Sequence, residues 1–152
     1  MKILIILLLV LGAFMFMEFM AWFTHKYVMH GFLWSLHKDH HTREHKAIEW
    51  NDLFALIFAV PSIVLIFTGV REMGPGFWIG IGIALYGLAY FTLHDVLVHR
   101  RLKILDQIDN WYFRAIVKAH NDHHAGKKNY GFIMMIPWKY FRKQGVAERG
   151  KY

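Results

Sequence analysis

The 152-residue chain contains no cysteine. Disulfides, thiolate zinc sites, iron–sulfur clusters and cysteine nucleophiles are therefore excluded, and any metal must sit on nitrogen and oxygen ligands. Other signatures are missing as well. There is no G-x-S-x-G, no P-loop and no dinucleotide fingerprint, and no acid–base dyad or nucleophile stands out. Charged residues make up only 19% of the chain, against 56% hydrophobic and 17% aromatic. With a positive mean hydropathy, this is too apolar for an ordinary soluble domain. The net charge of +7 does not point to a nucleic-acid partner. The basic residues are confined to segments flanking apolar runs, which is a membrane-protein pattern. The length suits a single domain, 1–152.

What the chain does have is histidine. His25 and His30 form an H-x4-H pair, and His37, His40 and His41 form an H-x2-H-H triplet. The same order returns in His94 and His99, then in His120, His123 and His124. Ten of the 11 histidines fall into this duplicated pattern. Imidazole is the commonest neutral nitrogen ligand for transition metals, and spaced, internal histidines are not an affinity tag. Positions i, i+3 and i+4 share one side of an α-helix, so the three rings of a triplet can converge. Positions i and i+5 lie roughly 140° apart on an α-helix, so each pair is expected to straddle a helix end or to reach the site from its flanks. Five ligands from each half are too many for one metal, so two metals are the natural count. The remaining histidine, His45, lies among Arg43, Glu44 and Lys46 and has no counterpart in the second half, where Lys128 occupies that place. It is expected to stay outside the site.

Three apolar runs predict an all-α integral membrane bundle with three spans. They are residues 3–23, 53–70 and 77–93, each near the ~20 residues that a ~30 Å hydrocarbon core requires. The first is read as a span rather than a cleaved signal peptide, because it is long, ends in bulky residues and lacks a small-x-small cleavage site. Glu18, its one internal charge, is expected to reach polar neighbours near the membrane edge. Pro61 lies inside the second run, where a membrane helix tolerates it. Gly74-Pro75-Gly76 is expected to act as a tight turn between the second and third spans. Leu105, Ile108, Tyr112, Ala115 and Ala119 recur at helical spacing among charged residues, predicting an amphipathic helix that ends in the second triplet. Residues 131–138, GFIMMIPW, are too short to span and are read as interfacial or core-capping. Every Lys and Arg except Lys2 and Arg71 falls on the side that holds both histidine stretches, so that side is expected to be cytoplasmic. Hydropathy alone thus brings all ten patterned histidines to one face.

A sulfur-free dinuclear histidine site beside a lipid-facing bundle suits non-haem iron and O2 activation. Asp39, Asp95 and Asp122 adjoin the histidines in sequence and are candidates to accept the second ring N–H of a ligand; the alternative is that they are solvated helix acids.

The motifs HKYVMH, HKDHH, HDVLVHRR and HNDHH, in this order on a short membrane chain, resemble those of the bacterial β-carotene hydroxylases, within the wider fatty-acid hydroxylase superfamily of membrane-bound di-iron oxygenases. The resemblance runs from His25 to about Trp138. It implies hydroxylation of a carotenoid β-ring at C3, converting β-carotene to zeaxanthin through β-cryptoxanthin. It also implies two Fe ions held by His25, His30, His37, His40, His41, His94, His99, His120, His123 and His124. O2 is the implied co-substrate, with an external electron donor such as ferredoxin and its reductase, in the bacterial inner membrane. Zinc accepts the same imidazoles and is expected to replace iron when overexpression outruns iron supply. The competing enzyme is a fatty-acyl or sterol hydroxylase or desaturase on the same site. A metal transporter would place ligands within its spans near the midplane, and these spans contain none there. A closed structural zinc site needs far fewer than ten ligands.

Overall fold

The computed structural model describes residues 2–42, 48–105 and 110–142, and among these every regular element is helical. Helix α1 (Lys2–Phe23) runs into a π-helical stretch, π1 (Thr24–Phe32), which breaks at Gly31. The short α2 (Trp34–His41) follows. A 3-10 turn at Trp50–Asp52 leads into α3 (Leu53–Gly69). Helix α4 (Pro75–Tyr90) returns and passes into a second π-helical stretch, π2 (Phe91–Val98). Helix α5 (Trp111–His124) and the single turn α6 (Lys139–Arg142) come last.

Lys2–Phe32, Trp50–Gly69 and Pro75–Val98 are each long and apolar enough to cross a membrane, giving the three-span bundle that hydropathy predicts. Ile3, Leu8, Phe67 and Leu88 stay more than half exposed, as side chains facing lipid rather than water would. Two glycines let α4 approach its neighbours. A Cβ on Gly80 would stand 3.0 Å from Leu65 Cβ of α3, and one on Gly82 would stand 2.5 Å from the Val10 carbonyl oxygen of α1. The two positions are roughly 200° apart around the helix, so α4 is wedged between α1 and α3.

Two boundaries differ from expectation. Gly74 ends the turn, but Pro75 and Gly76 already belong to α4. A proline ring fixes the backbone φ that a first helical turn needs, and the N–H it lacks has no partner there. The amphipathic helix starts at Trp111 rather than near Leu105. The Asn110 side chain caps it by accepting the Phe113 N–H at 2.9 Å, while residues 101–105 are turns and bends. Residues 106–109, which include Ile108, lie outside the described residues, as does His45.

Glu18 is fully enclosed and ties the two ends of the chain together. Its carboxylate accepts the Tyr86 hydroxyl at 2.8 Å. It also accepts four consecutive backbone N–H groups, from Phe132 (3.4 Å), Ile133 (3.0 Å), Met134 (2.9 Å) and Met135 (2.9 Å). The segment read as core-capping is thus a strap across the bundle. Its residues Phe132 and Ile133 pack with Met17, Ala21 and Tyr86, and Ile136 packs beneath α5 with Ala115, Ile116 and Ala119.

Candidate metal centre

The two pairs use a local geometry that an α-helical reading misses. In a π-turn the N–H of residue i+5 bonds to the carbonyl of residue i. His94 and His99 are related in this way, His99 N–H donating to the His94 carbonyl at 2.9 Å. One π-turn therefore brings the pair to one face, ring edge towards ring face, with centroids 4.6 Å apart. His25 and His30 lie on the π-helical π1 with their rings tilted and 4.9 Å apart.

Nine histidines gather into two groups, each with its ligand atoms within 4.8 Å of one another. The first group is His25, His30, His37, His41 and His123; the second is His40, His94, His99 and His120. The triplets do not each converge on one point. On α2, His37 and His41 turn to the first group and His40 to the second; on α5, His120 joins the second group and His123 the first. His124 belongs to neither group but borders both, stacking on His41 at 4.3 Å and lying 4.5 Å from the His120 ring.

The nitrogen separations suit a shared cation. His30 and His123 Nε2 stand 2.9 Å apart, His99 and His120 Nε2 2.9 Å, and His37 and His41 Nε2 3.2 Å. Two nitrogens each ~2.1 Å from one ion are about 3.0 Å apart at a right angle and about 3.4 Å apart at the tetrahedral angle, given typical metal–imidazole bonds. Nε2 of His25, His40 and His124 is buried with no hydrogen-bond partner. Leaving such a group unsatisfied costs on the order of 1–3 kcal/mol, and a cation held by each group would remove that cost for His25 and His40. Burial, reinforced by neighbouring rings, holds His37 down to about 3, His41 to about 4, His123 to about 2 and His124 to about 3. Burial likewise lowers His40 and His120. Neutral rings keep a lone pair for a metal.

Behind these rings stand partners that sequence adjacency did not reveal. His37 Nδ1–H donates to Asn51 Oδ1 at 2.7 Å, His40 Nδ1–H to Glu49 Oε2 at 3.0 Å, and His25 Nδ1–H to the Tyr130 carbonyl at 3.2 Å. Each contact fixes a tautomer with Nε2 facing inward. Burial raises the Glu49 carboxyl above its ordinary range, and Arg101 opposes the rise. Arg101 Nη2 lies 3.1 Å from Glu49 and 3.0 Å from Asp52, and its Nε lies 3.4 Å from Asp95. Among the three acids singled out from sequence, Asp95 lies 3.5 Å from His94 Nδ1. Asp39 instead accepts the Trp50 N–H at 2.7 Å. Asp122 accepts the Tyr140 hydroxyl at 3.0 Å and pairs with Lys127 at 2.9 Å.

An apolar cavity of about 360 Å³ runs between α1, α3 and α4. Ala55, Ala59 and Ala84 are among its walls, and its polar end is formed by Asn51, Asp52 and Asp95. It therefore reaches from the spans to the residues that back the histidines.

The fatty acid hydroxylase family matches residues 10–142. A curated beta-carotene hydroxylase of Pantoea ananas is 43% identical over 126 residues, 80% of this chain and 72% of that protein. One from Paracoccus sp. (strain PC1) is 39% identical over 136 residues, 86% and 84% of the two chains. A chloroplastic beta-carotene 3-hydroxylase of Gentiana lutea is 41% identical over 130 residues, 81% of this chain and 41% of that protein. No solved structure matches.

Proposed function

Because the chain belongs to the fatty acid hydroxylase family, we propose that it hydroxylates C3 of carotenoid β-rings, taking β-carotene to zeaxanthin through β-cryptoxanthin. All ten patterned histidines serve as ligands in this reading, and the centre holds two irons. Iron bound there supplies O2 activation strong enough to attack an unactivated C–H bond. What supports it above all is the pairing of two histidine groups in one shell with relatives named beta-carotene hydroxylase along most of both chains.

The protein's own share is to hold and shield. Asn51, Glu49 and the Tyr130 carbonyl orient the rings, and Phe132 of the strap lies against His25 and His94, 4.7 and 5.5 Å away ring to ring. The apolar cavity suits a substrate that arrives dissolved in lipid. A carotenoid is roughly as long as the ~30 Å bilayer core is thick, so its end ring can lie near the histidine layer while its polyene stays in lipid. Electrons come from an external donor such as ferredoxin with its reductase, and the site faces the cytoplasm from the bacterial inner membrane.

Expression in a β-carotene-producing bacterium tests this directly. Zeaxanthin should accumulate, with β-cryptoxanthin appearing first. Unchanged β-carotene despite membrane-inserted protein would overturn the carotenoid reading, and hydroxylated or desaturated lipids in the same cells would favour the acyl or sterol alternative.

A further inference from the structure

The two histidine groups are backed by different chemistry. Behind the first group, the acceptors for His37 and His25 are the Asn51 amide and the Tyr130 backbone carbonyl. Both are neutral. Behind the second group, His40 donates to the Glu49 carboxylate, and Asp95 lies 3.5 Å from His94. Arg101 draws Glu49, Asp95 and Asp52 together. Three carboxylates thus gather around the Arg101 guanidinium beside that group. Among the described residues, the other acids adjoining the histidines are engaged elsewhere, Asp39 on the Trp50 N–H and Asp122 on Tyr140 and Lys127.

We propose that the two metal positions are inequivalent, with Glu49 making the His40, His94, His99 and His120 position the tighter of the two. A carboxylate that accepts a ligand's ring N–H makes the imidazole a stronger donor and offsets the charge of the cation. An amide or carbonyl acceptor fixes the tautomer without adding charge. Glu49 is a positioning residue here, since it touches a ligand and not the reacting atoms. Arg101 keeps Glu49 aimed at His40 while pairing with the same oxygen, Oε2. The cation in the second group is therefore the one that binds first and leaves last. This rests on the dinuclear reading above.

The test loads the full-length protein with Co2+ in lipid nanodiscs and equilibrates it against metal buffers of graded strength. Visible absorption and metal content are read together. Two release steps are expected, about 10–100-fold apart, the range that such outer partners are worth. His99→Ala should remove the tight step and His30→Ala the weak one, which assigns them. Glu49→Gln should weaken the tight step by about 10–100-fold and leave the other in place; a merely structural role would move both. Asn51→Asp places a carboxylate behind His37 and should tighten the weak step, so it decides the matter even if Glu49→Gln folds poorly. Two cations released in one step from the unaltered protein would overturn the proposal, as would equal weakening of both steps by Glu49→Gln. A single cation per chain would instead overturn the dinuclear reading.

Discussion

His40 and His123 are exchanged between the halves of the chain. Each is the middle histidine of its triplet, and each sits in the group that the other half mainly builds. His40 lies 4.2 Å, ring to ring, from His99, and His123 lies 4.5 Å from His25. Neither half can complete its own group, so the duplicated motif works only as an interlocked pair.

The exchange makes a mutational prediction. His40→Ala and His123→Ala should each abolish β-carotene conversion at matched protein levels, and each should lower metal content, because each opens a different group. His45→Ala should keep most activity. If all three variants lose activity equally, the boundary of the site is wrong.

Metal analysis offers a second check. Protein from iron-replete cells should carry about two irons per chain on nitrogen ligands, measured by elemental analysis and X-ray absorption. Zinc is expected in part of the sites when overexpression outruns iron. A ratio near one, or no metal after gentle purification, contradicts a dinuclear centre.

Glu18→Ala should destabilise the fold strongly. The substitution leaves the N–H groups of residues 132–135 and the Tyr86 hydroxyl without their acceptor, at a cost on the order of 1–3 kcal/mol for each group left buried and unpaired. Glu18→Gln should cost less, since one acceptor oxygen survives. Thermal unfolding in detergent micelles is the measurement, and an unchanged Tm for Glu18→Ala would show that the strap is held by its apolar contacts alone.

Topology can be read with reporter fusions. One placed after Tyr152 should report the cytoplasm, and one inserted at Gly74 should report the opposite side. Should both report the same side, the charge rule has been misapplied or a span is missing.

Hydropathy and histidine spacing alone carry the three spans and the clustering of histidines at one end. The triplets announced an α-helical surface, and α2 and α5 carry them. The pairs were harder to read because their spacing fits a π-turn, which is rare and leaves no compositional mark. The division of each triplet between two groups depends on how α2 and α5 face each other, and no periodicity encodes that. Asp39 and Asp122 looked well placed because each precedes a histidine. On an α-helix, however, neighbouring residues point roughly 100° apart, and both acids aim elsewhere, whereas Asp95 on the π-helical stretch does lie 3.5 Å from its neighbour His94. The partners that do reach the rings come from the 3-10 turn at Trp50–Asp52, the residue just before it, and the backbone at Tyr130, which is 105 positions from His25.

The long reach of the strap also sets the timetable of synthesis. Glu18 lies in the first span, yet four of its partners are backbone groups 114 to 117 residues later. During translation the first helix enters the bilayer carrying a carboxylate whose partners have not yet been made, and His25 waits almost as long for the Tyr130 carbonyl that orients it. Docking of the strap on Glu18 therefore has to wait until residues 132–135 have been made.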